Sequence, residues 1–179
     1  MLEIYITANK SVHKKVKIAI ARHICGSFAI NFNENGKPYV EGDPLFFSIT
    51  HSKDTAVFAL SDKPVGIDLE FIDCKRKIES VLLRFTDREL SEINGNLPLF
   101  YENWVVKEAY IKLICGTIAH YFKQLEYVGK LLYCDGKNVD CNINVLYPEN
   151  GVICAICGGL QCFNSKIKRF RLRKGESLK

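Results

Sequence analysis

The sequence predicts an α+β protein of two small lobes, and three observations lead there. Short apolar segments bounded by turn residues predict strands in the first half of the chain. A stretch with clear helix start and stop signals occupies the middle, and short strand candidates return after it. Helix plus antiparallel strands, met twice, is the pattern of an α+β chain rather than of alternating β-α units. The joint falls near residues 71–78, which divides the chain into lobes 1–73 and 74–179.

In order along the chain, "LEIYIT" reads as a first strand. Ser11 is placed to cap a helix running to about Cys25, with basic and apolar faces in "VHKKVKIAIARHIC". "NFNENGKPYV" bends at Asn35-Gly36. "LFFSIT" and "TAVFAL" read as neighbouring strands around "HSKD", with "PVGIDLEF" as the third strand of a β-meander. In "FTDREL", Thr86 and Glu89 have the spacing of a capping box. A longer helix is expected from about Leu97 to Cys115, stopping at Gly116. "QLEYVG", "KLLYCD", "NINVLY", "GVICAIC" and "KIKRFRL" follow as short strands.

Composition narrows the class. With 179 residues, 47% hydrophobic and 25% charged, the chain reads as an ordinary soluble globular protein. No apolar run approaches the roughly 18–20 residues of a membrane span. "MLEIYITANK" lacks the basic start and apolar centre of a signal peptide, so the cytoplasm is the expected location. The net charge of +5, gathered in "HKKVK" and "KIKRFRLRKGESLK", suits an anionic partner such as a nucleotide, a nucleic acid or an acidic protein. No zinc finger, helix-turn-helix or cluster of stacking aromatics favours nucleic acid among these. The eight cysteines are expected as reduced thiols. Cys154 and Cys157 form a CxxC, but no second CxxC or paired histidine completes a zinc site, and "GVICAIC" reads as a buried strand.

The chemistry gathers in two segments. In "PVGIDLEF", Val65, Ile67, Leu69 and Phe71 share one strand face, and Asp68 and Glu70 project from the other, about 6.5–7 Å apart. In "NWVVKEAYIKLICG", Trp104, Glu108 and Lys112 are spaced i, i+4, i+8 and stay near one helix face. Three carboxylates from a strand and a helix suit Mg²⁺, which takes oxygen ligands and leaves room for waters and substrate phosphates. Lys112 would then face those phosphates, an arrangement for phosphoryl transfer.

With these segments on the page, the chain resembles the 4′-phosphopantetheinyl transferase superfamily. Val65-Gly66-Ile67-Asp68-Leu69-Glu70 is similar to its (V/I)G(I/V)D-x-E motif, and Trp104 to Lys112 to its W-x-x-KE-(A/S)-x-x-K motif. "RFTDREL", "GKPYV" and "FSITHS" resemble three further stretches in the family's order, with Ser48 near the place of an asparagine. The resemblance implies the two-lobed Sfp type, a pseudo-twofold fold with its active site between the lobes, in a monomer with a shortened N-terminal half. The basic helix would stand in there, Lys14 or Lys15 replacing an arginine. It implies transfer of phosphopantetheine from coenzyme A to a serine of an acyl, peptidyl or aryl carrier protein, with release of adenosine 3′,5′-bisphosphate. Asp68, Glu70 and Glu108 would bind Mg²⁺, with Mn²⁺ as a substitute. Lys112 would meet the diphosphate and stabilise or protonate the leaving phosphate, and Lys107 would add a phosphate contact. Thr50 and His51 would hold phosphates of coenzyme A, and Lys37 and Pro38 would line the nucleotide site. Glu108 or Glu89 would accept the serine proton. The alternative is a non-catalytic module of the same fold that binds coenzyme A or a carrier protein.

Overall fold

The computed structural model describes residues 1–42, 45–159 and 166–172. Its strands in the first half are β1 (Leu2–Ala8), β2 (Ile30–Phe32), β3 (Pro38–Val40), β4 (Phe46–Ser52), β5 (Thr55–Ser61) and β6 (Val65–Phe71), with helix α1 (Val12–Ala21) after β1. Helices α2 (Glu79–Leu82), α3 (Asp87–Ile93), α4 (Leu97–Leu113) and α5 (Ile118–Tyr121) follow. The second half closes with β7 (Leu125–Val128), β8 (Leu131–Cys134), β9 (Lys137–Asn138), β10 (Asn142–Glu149), β11 (Val152–Gly158) and β12 (Ile167–Arg169). Both helices and antiparallel strands are present in the α+β mixture expected. Among the described residues no helix is long and apolar enough to cross a membrane. The last residues of the basic segment, from 173 on, and Cys162 lie outside the described residues.

Two sheets carry the structure, one in the order β12-β1-β5-β4 and one in the order β10-β11-β6. Ile4, Ile6, Val57 and Ala59 of the first meet Val65, Ile67, Leu69, Cys154 and Ile156 of the second in one core. Val16 and Ile20 of α1 cover the other face of the first sheet against Tyr5, Phe58 and Leu60. Ile153, Ala155 and Cys157 turn the other way, toward Val105 and Ala109 of α4. The layers therefore run α1, sheet, sheet, α4. "TAVFAL" and "GVICAIC" are apolar without a break because their strands are covered on both faces. Cys154 and Cys157 fall on opposite faces of β11, so the CxxC is a strand's alternation and not a pair of ligands.

Three local expectations are corrected. β6 does not complete a meander with β4 and β5; it pairs antiparallel with β11, with Asp68 opposite Ala155. The pattern of "PVGIDLEF" identifies a strand but not its partner. Pairing with β11 lets Val65, Ile67 and Leu69 enter the core between the sheets while Gly66 and Asp68 face α4. Ser11 stands before α1 with φ of 68° and makes no side-chain cap, its hydroxyl donating to the Lys10 carbonyl instead. The helix also stops at Ala21, short of Cys25. Strands from beyond residue 74 complete both sheets: β12 joins β1 in parallel, and β10 and β11 join β6.

α4 is apolar around most of its girth because it is enclosed, with Phe100, Tyr101, Val105, Val106 and Ala109 all at 1% exposure or less. Asn96 caps it by accepting the Leu99 N–H at 3.2 Å, and Pro98 lies in its first turn. It lies so close to β6 that a Cβ on Gly66 would stand 2.0 Å from the Ala109 carbonyl oxygen and 2.5 Å from the Leu113 nitrogen. Only glycine fits, since both obstacles are backbone.

α3 is fastened to α4 by a buried ion pair. Thr86 and Glu89 form the expected capping box. Glu89 is fully buried, and both its oxygens accept from Lys107 Nζ at 3.0 Å. The same carboxylate also accepts the Thr86 N–H at 2.9 Å and the Tyr127 N–H at 3.0 Å. The Lys107 ammonium lies 4.8 Å from the Phe85 ring centre and 4.2 Å from that of Phe122. Burial pulls the Lys107 pKa down, and the Glu89 charge opposes that pull.

Gly66→Ala should lower the stability of the fold by at least about 1–3 kcal/mol, the cost of overpacking against atoms that cannot yield, read from denaturant unfolding. Glu89→Gln leaves a buried ammonium without its counter-charge and should cost about 3–5 kcal/mol. Lys107→Met in the Glu89→Gln background should restore part of that loss, which tests the pairing rather than the site.

Candidate active site

The approach of α4 to β6 sets Glu108 and Lys112 over the polar face of β6. Lys112 Nζ donates to Asp68 Oδ1 at 2.6 Å. Asp68 is buried, whereas the Lys112 side chain keeps 32% of its surface open, so the ammonium is held by the acid yet reachable from solvent. Burial disfavours its charge, but Asp68 and then Glu108 outweigh it and raise its pKa. Thr50 donates to the same Asp68 oxygen at 2.9 Å. Glu70 accepts from Ser52 at 2.9 Å and meets Arg76 at 3.5 Å. Arg76 in turn stands 5.9 Å from the centre of the Trp104 ring. Glu108 is half-buried, and its carboxyl is pushed up to about 8, first by burial and then by the negative charge of Asp68, with Lys112 opposing.

Beside these acids a cleft of about 350 Å³ opens, with Lys37, Pro38, Glu108, Lys112 and Cys115 in its wall. The loop that bears Lys37 and Pro38 is held rigidly. Asn33 Oδ1 accepts the backbone N–H of Asn35 at 3.1 Å and of Lys37 at 2.7 Å, and Asn35 Nδ2 donates to the Cys115 carbonyl at 2.7 Å. Lys37 Nζ donates to the Lys112 carbonyl at 2.6 Å, and to those of Val65 and Leu113 at 3.3 and 3.4 Å. It thus places a cation on the last carbonyls of α4, where the helix dipole favours one. Burial lowers its pKa, and the neighbouring Cys115 opposes the shift.

Of the residues expected at a site, Lys37, Pro38, Glu108 and Lys112 share this cleft, and Asp68 is tied to it through Lys112. Glu70 stands beside Asp68 on β6, two residues on. Thr50 is buried, with its hydroxyl engaged by Asp68 and the backbone of Leu69 rather than open to a ligand. His51 is exposed on the other face of β4. Lys107 and Glu89 point away from the cleft into the apolar joint between α3 and α4, where each is bonded to the other. Sequence reasoning passed over Ser52, Arg76 and Asn33, which hold the acids and the loop, and marked Asn35 only as the bend of that loop. The hydroxyl side chain at every second position of "SITHS" is the local signal for Ser52; nothing local marks Arg76.

Comparison with known proteins falls on the same segment. Residues 64–130 match the family model described as the 4′-phosphopantetheinyl transferase superfamily. The chain is 39% identical over 87 residues to the 4′-phosphopantetheinyl transferase gsp of Aneurinibacillus migulanus, a match covering 46% of this chain and 36% of that protein. It is 35% identical over 85 residues to the 4′-phosphopantetheinyl transferase of Bacillus subtilis, covering 44% and 38%. It is 31% identical over 106 residues to the 4′-phosphopantetheinyl transferase HetI of a Nostoc strain, covering 52% and 44%. The matches span less than half the length of each of these relatives. The segment that holds Asp68, Glu70, Glu108 and Lys112 is thus the part of the chain that is similar to the 4′-phosphopantetheinyl transferase superfamily.

Proposed function

We propose that the protein transfers the 4′-phosphopantetheine group of coenzyme A to a serine of an acyl or peptidyl carrier protein, releasing adenosine 3′,5′-bisphosphate. The observation that carries this reading is the convergence on one cleft of Lys37, Glu108 and Lys112, with Asp68 bonded to Lys112. These residues come from three separated motifs.

The donor chemistry fits a hard divalent cation. Asp68, Glu70 and Glu108 are oxygen donors, and their mutual repulsion is large enough to appear in the raised Glu108 pKa. They are not drawn together as a finished cage: among the described residues no three His, Cys, Asp or Glu side chains are gathered to hold a metal ion. On this reading the three acids would hold Mg²⁺, which when bound would neutralise charge on the diphosphate.

The chain's own groups divide the remaining work. Lys112, whose pKa is raised, stays charged and acts on the diphosphate as a fixed cation; a proton held so firmly is a poor one to donate. Glu108 keeps its proton at neutral pH in the metal-free protein, so it would take the serine proton, directly or through one water, once a cation beside it has displaced its own. The serine oxygen attacks the phosphorus distal to the adenosine, its proton passes to Glu108, and adenosine 3′,5′-bisphosphate leaves. Glu89 is unsuited to that task because Lys107 and two backbone N–H groups already occupy it. Lys37 closes the cleft at the nucleotide end. The exposed Lys14 and Lys17 of α1 favour encounter with an acidic carrier.

With coenzyme A and Mg²⁺, a panel of apo carrier proteins should gain the mass of the phosphopantetheine group, and Asp68→Ala and Lys112→Ala should each reduce the rate by at least about 100-fold. No mass gain with any carrier overturns the proposal, and an Asp68→Ala variant that still binds coenzyme A and carrier as wild type does points to the binding module instead. A second outcome concerns the metal-free protein. Glu108 binds its proton more tightly folded than unfolded, so it contributes stability at acid pH that is lost as pH rises from about 5 to about 8. In chelator, the Tm of wild type should fall across that window, and that of Glu108→Gln should fall less.

A further inference from the structure

β4 carries hydroxyls at alternate positions, Ser48, Thr50 and Ser52, and all three reach toward β6. The two strands are the facing edges of separate sheets and share no backbone ladder. The hydroxyls take its place. The Ile67 N–H donates to Ser48 Oγ at 3.2 Å, and the Leu69 N–H donates to Thr50 Oγ1 at 3.2 Å. Two donors on the outer edge of β6 are satisfied in this way. Thr50 then uses its one proton to donate to Asp68 Oδ1 at 2.9 Å, and Ser52 donates to Glu70 Oε2 at 2.9 Å.

The three hydroxyls differ in what they hold. Ser48 bonds only backbone of β6, Thr50 bonds backbone and acid, and Ser52 bonds only acid. A ladder needed merely to join two sheet edges would not require the last of these. Asp68 receives Thr50 and Lys112 both on Oδ1, which leaves Oδ2, among the described residues, without a side-chain donor. We propose that Thr50 and Ser52 are positioning residues for a divalent cation: each fixes one oxygen of a β6 carboxylate by a charge-assisted bond, which leaves Asp68 Oδ2 for the ion, and Glu70 Oε1 in exchange for its 3.5 Å contact with Arg76. This rests on the metal reading given above, and it assigns Thr50 to orienting an acid rather than to holding a phosphate.

The 179-residue chain is titrated with Mn²⁺, free ion being read by electron paramagnetic resonance, and Tm is measured alongside. Thr50→Val and Ser52→Ala should each weaken Mn²⁺ binding by about tenfold or more, the usual effect of losing a group that orients a ligand. Thr50→Ser, which keeps the hydroxyl, should stay within about threefold of wild type. Ser48→Ala should lower Tm and leave Mn²⁺ affinity within about twofold, whereas Ser52→Ala should weaken Mn²⁺ with little change in Tm. Wild-type affinity in both Thr50→Val and Ser52→Ala, with Asp68→Ala impaired, overturns the positioning role while the metal reading stands. If wild type binds no Mn²⁺, or Asp68→Ala binds it unchanged, the metal reading falls and the positioning role falls with it.

Discussion

Everything at the candidate site depends on how closely α4 lies against β6. Helices resting on sheets are ordinarily held off by the side chains between them, and at Gly66 there is none. A Cβ would lie 2.0 Å from a carbonyl oxygen of the helix, so the absence of one carbon atom sets the distance at which Glu108 and Lys112 stand from Asp68. The carbonyls that end the helix are close enough for Lys37, from a distant hairpin, to reach Lys112, Leu113 and Val65 with a single ammonium. One contact therefore ties the β2-β3 loop, the end of α4 and the start of β6 into the wall of one cleft.

The two lysines of α4 show how one helix separates architecture from chemistry. Lys107 is enclosed, its ammonium bonded to both oxygens of Glu89 and set among aromatic rings. An ion pair of that kind is a poor source of net stability, because both charges have lost their water, but it tolerates no other arrangement. It fixes the rotation of α4 against α3 and so the direction in which the next turn of the helix faces. Lys112 makes a shorter bond to a buried acid, 2.6 Å against 3.0 Å, yet remains part open. The difference between the two lysines is access, not charge or pairing.

Access is also what the sequence could not convey. The capping box at Thr86, the limits of α4 and the strand candidates of the second half follow from local rules, and the structure bears them out. Asp68, Glu108 and Lys112 were marked by spacing on a strand and a helix. The partner of β6 was not legible, because alternation encodes which face of a strand is buried and is silent on which edge is paired. The same limit explains Lys107 and Glu89. A lysine beside a glutamate in "VVKEAY" looks solvated, and only the packing of Phe85 and Phe122 over it reveals a dry pair. Ser11 failed as a cap for a backbone reason, since a residue in the left-handed region cannot aim its hydroxyl at the first turn. Arg76, reaching Glu70 and Trp104 at once, joins residues that no local window contains.

The charges at the site do not balance, and the imbalance explains the state of Glu108. Asp68, Glu70 and Glu108 would carry three negative charges if all were ionised, and Lys112 and Arg76 supply two positive ones nearby. Asp68 is secured by Lys112 and Thr50, and Glu70 by Ser52 and Arg76. Glu108 has the weakest claim on a cation and the burial to make ionisation costly, so the deficit settles on it as a carboxyl that keeps its proton to about pH 8. A proton is the smallest cation that can close such a gap. Any larger cation held among these acids would close it too, and would lower the pKa of Glu108 by the same electrostatics that now raise it.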